Sequence, residues 1–151
     1  MSDLAMTTVD PETGRVRFRF PRGRLAPLSG RRQLAQQFVI GVFKTPGIEP
    51  LAPELGGGLA RNLGRAFSRD ALRAAATTSI LAVDRQMHAA QAASSTVRRK
   101  TESIASASLI DVNVVFDATG LVTVADIDSS LISAEGIPQQ LRLDAVSVIS
   151  I

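Results

Sequence analysis

Glu49 and Glu54 lie in the stretch Ser29 to Leu59, SGRRQLAQQFVIGVFKTPGIEPLAPELGGGL, where Pro46, Pro50 and Pro53 stiffen the chain around them. Two carboxylates held about 5 to 10 Å apart, one protonated and one ionised, are enough for glycoside hydrolysis. A sugar-cleaving groove also wants aromatic platforms, and the chain has no Trp and no Tyr. The structural alternative for Glu49 and Glu54 is a pair of loop salt bridges to Arg61, Arg65 or a partner's arginine. Gly56-Gly57-Gly58 invites comparison with a phosphate loop, but Leu59-Ala60 follows where that loop needs Lys and then Ser or Thr. His88 is the single histidine and has no companion at metal-ligand spacing. There is no Gly-x-Ser-x-Gly elbow, and the serines lack a plausible His partner for a Ser-His-Asp arrangement. No catalytic residue, metal site or cofactor is expected.

The elements that would hold these residues are legible from periodicity and punctuation. Ser29 is an N-cap candidate for a helix from Gly30 to Lys44, with Leu34, Phe38 and Val42 on one face and Gln33, Gln36 and Gln37 around it. Thr45-Pro46-Gly47 stops that helix, and the three prolines are expected to hold an extended path to the glycines. A short helix from Leu59 to Phe67 repeats Leu59, Leu63 and Phe67. Ser68 and Asp70 then begin a longer helix, in which Leu72, Ala76, Ile80, Val83 and Met87 form an apolar stripe, and the Ala-rich segment stays helical through about Ala93. Within it, Asp84 and Arg85 point about 100° apart and do not pair with each other; Arg85 is either a buried fork for a carboxylate or an exposed charge.

After the break at Ser94-Ser95-Thr96 and Arg98-Arg99-Lys100 the pattern becomes β. Ile110, Val112, Val114 and Phe116 alternate with other residues, Asp117 to Gly120 turns, and Leu121 to Ile127 returns. Ser129 to Pro138 reads as a connection, and Gln139 to Ile151 as a third strand ending in VSVISI. An apolar strand at a sheet edge is an aggregation hazard unless core packing or another protein covers it. The fold expected is α+β, two or three N-terminal helices packed on a small three-stranded antiparallel sheet near the C-terminus. Residues 29–151 form the domain, helical over 29–93 and β over 102–151. Residues 1–28 form a basic arm or edge strand, in which DPETG turns and Val16, Phe18 and Phe20 alternate with Arg15, Arg17 and Arg19 before Pro21.

Composition bounds the function classes. Hydrophobic residues make up 45% of the 151 residues but aromatics only 4%, all Phe, so close packing of small residues must replace bulky anchors. With no Cys there are no disulfides and no thiolate metal sites. No run approaches the roughly 20 apolar residues that cross a bilayer, and MSDLAMTTVDPETG lacks the regions of a signal peptide, so a soluble, unprocessed chain without a membrane partner is expected. The net charge is only +3, yet residues 1–100 carry 16 basic and 7 acidic side chains while residues 101–151 carry 1 and 7. Such asymmetry suits head-to-tail association or placement between partners of opposite charge. Seven arginines between Arg15 and Arg32 permit a nucleic-acid-binding arm. Period-2 alternation puts the Phe rings on the face opposite the arginines, which argues against base stacking.

The order Ser29-Gly30, Leu34, Gln36 or Gln37, Thr45-Pro46-Gly47, Pro53-Glu54-Leu55-Gly56, a second helix and a terminal hairpin resembles the baseplate wedge proteins of contractile phage tails. That family, sometimes labelled lysozyme-like, is related to the small baseplate subunit of type VI secretion systems. The resemblance spans roughly Ser29 to Ile127. Leu55 stands where the family has an aromatic residue. Val83-Asp84-Arg85 is the nearest counterpart of the family's Glu-Pro-Arg at the end of the helix before the sheet, with only Arg85 identical. The resemblance implies a non-enzymatic virion component of the tail baseplate, present in several copies and assembled in the host cytoplasm. Such a subunit clamps larger wedge proteins around the tail tube, near the hub, and offers its C-terminal sheet to initiate the sheath. The residues expected to meet these partners are Gln36, Gln37, Pro46, Gly47, Glu54, Gly56 and Arg85, together with Val146, Val148, Ile149 and Ile151 of the last strand. A peptidoglycan-cleaving lysozyme and a nucleic-acid-binding module are the alternatives.

Overall fold

The computed structural model describes residues 3–4, 7–9, 16–18, 27–62, 68–95, 98–116 and 122–146. Four short strands come first: β1 (Asp3–Leu4) pairs with β4 (Pro27–Leu28), and β2 (Thr7–Val9) with β3 (Val16–Phe18), both antiparallel. Helix α1 (Arg31–Phe43), a 3-10 turn (Leu59–Asn62), helix α2 (Arg69–Ala93) and a second 3-10 turn (Lys100–Glu102) follow. Strands β5 (Ile104–Phe116), β6 (Val122–Ser133) and β7 (Pro138–Val146) then build an antiparallel sheet in the order β5-β6-β7. The expected α+β architecture is what the chain adopts, with two α-helices among the described residues. Where a third helix was expected, a 3-10 turn ends at Asn62, and residues 63–67 lie outside the described residues, as do the DPETG turn and the Asp117 to Gly120 turn.

The start of α1 differs from expectation. Its N-cap is Gly30, at φ 64°, and Ser29 supplies no cap. The Gly30 N–H instead donates to Glu102 Oε1 at 3.0 Å, so a carboxylate 72 residues away sits at the positive end of the helix dipole. The α2 start follows the local rule: Ser68 Oγ accepts the Ala71 N–H at 3.2 Å, and Asp70 lies in the first turn. Leu34, Phe38, Val39 and Val42 of α1 and Leu72, Ala76, Ile80 and Val83 of α2 are buried in one core, with Met87 packed against it. The helices approach closely because Gly41 has no side chain; a Cβ there would lie 2.9 Å from Val83 Cγ1.

The sheet is longer than its apolar alternation suggests. β5 begins at Ile104, because the small and polar run Ser106 to Ser108 still pairs with β6, with Ala105 passed over at a register shift. A register shift between Leu109 and Asp111 leaves Ile110 as the extra residue of a bulge. Ala107 and Leu109 pack inward before it and Val112 and Val114 after it, whereas Ile110, expected in phase with Val112, is 44% exposed. β6 runs on to Ser133 through the segment expected to be a connection; the reversal falls at Ala134 to Ile137, with Gly136 at φ 79°. β7 runs to Val146, and the last five residues of the expected strand, including Val148, Ile149 and Ile151, lie outside the described residues. Val112, Ile127 and Leu143 share a buried register row, and β3 lies against β7 without joining its ladder.

Helix α2 packs along β5. Asp84 Oδ1 accepts the Ala107 N–H at 2.8 Å, and Arg69 Nε donates to the Val112 carbonyl at 3.0 Å. Both backbone groups belong to an edge strand and point away from β6, so α2 side chains satisfy polar groups that the sheet leaves open. Replacing Asp84 by Ala strands the Ala107 amide and is expected to cost about 1–3 kcal/mol of stability. Asp84→Asn keeps an acceptor and should cost less; urea denaturation of the two variants measures the difference.

Candidate functional site

The loop between α1 and the first 3-10 turn is built by its glycines and prolines. Pro46, Pro50 and Pro53 do not hold the extended path expected of them, because the chain turns repeatedly. The Gly47 N–H donates to the Pro53 carbonyl at 2.7 Å, Ala52 to Glu49 at 3.2 Å and Leu55 to Ala52 at 3.1 Å. Proline's fixed φ suits turn positions as well as extended ones. Lys44 Nζ meets Glu49 Oε1 at 2.7 Å, and the Arg61 guanidinium donates to the Pro46 carbonyl. Glu49 thus pairs with Lys44, and Arg61, one of the partners considered for the loop acids, serves the backbone instead.

The glycines then fasten this loop to both helices. The Gly57 N–H donates to the Gly41 carbonyl at 2.8 Å and Gly58 to Lys44 at 2.9 Å, covering carbonyls that the end of α1 leaves open. From α2, Ser79 Oγ donates to the Gly57 carbonyl at 2.7 Å. Gln86 reaches the same segment: Oε1 accepts the Gly56 N–H at 2.9 Å while Nε2 donates to the Glu54 carbonyl at 2.9 Å. Gly56 adopts φ 126°, and a Cβ there would fall 2.3 Å from the Lys44 carbonyl oxygen, so no other residue fits without moving backbone. The result is a braced loop whose tip carries Ile48 and Leu51, 67% and 100% exposed.

The residues expected to meet partners divide by this geometry. Gly56 is buried in the loop anchor, and Gln36 is 3% exposed within the core, so both act inside the chain where surface contacts were expected. Gln37 and Pro46 are half-buried, while Gly47, Glu54 and Arg85 are exposed. The loop brings Pro46, Gly47, Glu54 and Gly56 together, and Arg85 sits on α2 beside Gln86, facing solvent where a buried fork was one of the two readings. Asp84 and Arg85 lie mid-helix, with α2 continuing to Ala93; immediately before the sheet stands Glu102, engaged with Gly30. Val146 closes β7 in register with Val124. Gln86 was missed, because one glutamine between Val83 and Met87 on a helix flank carries no periodic signal. Of the candidates for chemistry, Glu49 is engaged by Lys44, and His88 Nε2 lies 3.8 Å from Asp84 Oδ1. Among the described residues no three His, Asp or Glu side chains gather as metal ligands, and no helix is long and apolar enough to cross a membrane.

What this arrangement offers is position: a braced loop with an apolar tip, and a sheet with one edge served by α2 and the other, β7, paired in a ladder only with β6 among the described strands. No family model, curated protein or solved structure matches the chain.

The bracing makes a graded prediction. Gly56→Ala combines a strained φ with a backbone clash and should cost more than about 2 kcal/mol. Gln86→Leu should cost about 1–3 kcal/mol by stranding the Gly56 amide. Amide hydrogen exchange should show the Gly56 to Gly58 protection falling in Gln86→Leu while the β6 amides stay protected.

Proposed function

We propose that this chain is a structural subunit of a contractile injection machine, a baseplate wedge component that joins larger wedge proteins and starts the sheath through its C-terminal strand. The observation that carries the reading is the asymmetry of the sheet edges. Arg69 and Asp84 of α2 bond to the outward backbone groups of β5, so that edge is occupied. β7 is the last described element, lies at the opposite edge and runs into residues 147–151, VSVISI from position 146 onward. An edge strand of this kind can donate or receive main-chain hydrogen bonds by β-augmentation, with alternate side chains giving specificity.

The braced loop supports the same reading from another side. Its conformation is set by contacts with α1 and α2 before any partner arrives, so docking through Ile48 and Leu51 would pay little ordering entropy. The resemblance of Ser29 to Ile127 to wedge proteins adds the identity of the machine.

Deleting Val146 to Ile151 should leave a folded monomer with an unchanged thermal unfolding profile and abolish sheath initiation in a reconstituted baseplate. Normal sheath assembly by the truncated chain would refute strand exchange. Incubated with peptidoglycan, the purified chain should release no muropeptides; release that disappears in Glu54→Gln would instead establish the lysozyme reading.

A further inference from the structure

Five cations from two distant parts of the sequence meet at the beginning of α1. Arg31 and Arg32 open the helix, while Arg98, Arg99 and Lys100 lead into the second 3-10 turn. The bond from the Gly30 N–H to Glu102 Oε1 ties these segments together, and α1 packs on the turn. All five side chains belong to exposed residues.

Their grouping without ion pairing sets them apart, since Arg61 and Arg85, also outside the described ion pairs, stand singly on the loop and on α2. Lys44 is paired with Glu49, Arg69 and Arg73 with Asp111, and Arg142 with Asp128. Among the described residues, Arg31, Arg32, Arg98, Arg99 and Lys100 join no ion pair. The neighbouring acid, Glu102, has one carboxylate oxygen on the Gly30 amide. The positive end of the α1 dipole adds to the same field. Holding several like charges together without neutralising them opposes folding and favours encounter with an anionic partner.

We propose that this basic end docks on a carboxylate-rich surface of a partner protein. Among the described residues the patch is bounded, which favours a compact acidic face over a nucleic acid. Ala134 donates to the Ser103 carbonyl at 2.8 Å, placing the turn that carries the exposed Glu135 next to the start of β5. Residues 101–151 hold one cation against seven acids, so a long polyanion running past the patch would meet repulsion. Among the described side chains, Phe38 is buried in the core and Phe43 packs against it, so neither ring is offered to a base. Arginine forks match carboxylates bidentately, and such contacts set encounter rate and register. The inference stands on the placement of charge and is independent of strand exchange at β7.

The test uses the full chain and two fluorescent probes of equal charge, a Glu-rich peptide and a single-stranded oligothymidylate, followed by anisotropy across a salt series. The peptide should bind more tightly than the oligonucleotide, and binding should weaken as salt rises. Arg98→Glu, Arg99→Glu and Lys100→Glu combined should lower peptide affinity by about tenfold or more. Arg31→Gln with Arg32→Gln, a milder change that keeps helix-compatible side chains, should lower it by a smaller factor. Arg73→Gln, at an exposed cation elsewhere on α2, should leave it unchanged. Peptide binding that survives both patch variants in folded protein, or tighter oligonucleotide binding that depends on the same five residues, would overturn the proposal.

Discussion

The carboxamide of Gln86, accepting the Gly56 N–H with one end and donating to the Glu54 carbonyl with the other, is the interaction on which the helical half depends. Gly56 can take this position only because it lacks a Cβ, and its neighbours Gly57 and Gly58 then reach the open carbonyls of α1. One loop therefore completes the end of one helix and is itself completed by another. Remove any member and buried polar groups lose partners together, which is why such networks hold a single arrangement more firmly than equal apolar area would.

Helix α2 applies the same solution to the sheet. Two turns before Gln86, Ser79 serves the glycine loop; between them Asp84 turns to β5, and Arg69 at the other end of the helix bonds to the same strand. A helix that spends polar side chains on the backbone of an edge strand makes that strand unavailable to other chains. The bulge at Ile110 fits this role, since it lets inward packing resume at Val112 after the phase set by Ala107 and Leu109. Among the described residues no helix bonds to the opposite strand, against which β3 lies without pairing, so the two edges differ in what they can exchange.

How much of this could be read from residues alone depends on the range of the interaction. The α2 start at Ser68, its stripe and its end at Ala93 rest on neighbours within a few positions, and they fold as read. The Gly30 cap does not, because its acceptor is Glu102; a serine next door is the better local candidate, and only the packed fold brings the glutamate closer. The bulge was equally hidden, since strict alternation through Ile110 is the simpler pattern and nothing local marks the extra residue. The loop's rigidity was legible in its prolines and glycines, but its turned path and its tether to Gln86 were not, because both depend on the meeting of α1 with α2.

The uneven charge along the sequence acquires a different meaning once folded. Acids in the C-terminal half are partly answered from within: Asp111 by Arg69 and Arg73 of α2, and Asp128 by a two-point contact with Arg142 across β6 and β7. The folded chain therefore joins a sheet whose acids are partly answered to an unbalanced basic end. Exposed charges act over about 10 Å at moderate salt, whereas main-chain pairing acts only on contact. In the proposed assembly the two kinds of contact would act in sequence. The cations would set the approach and register, and the strand edge would hold what they deliver, so salt should slow association far more than it loosens a completed strand pairing.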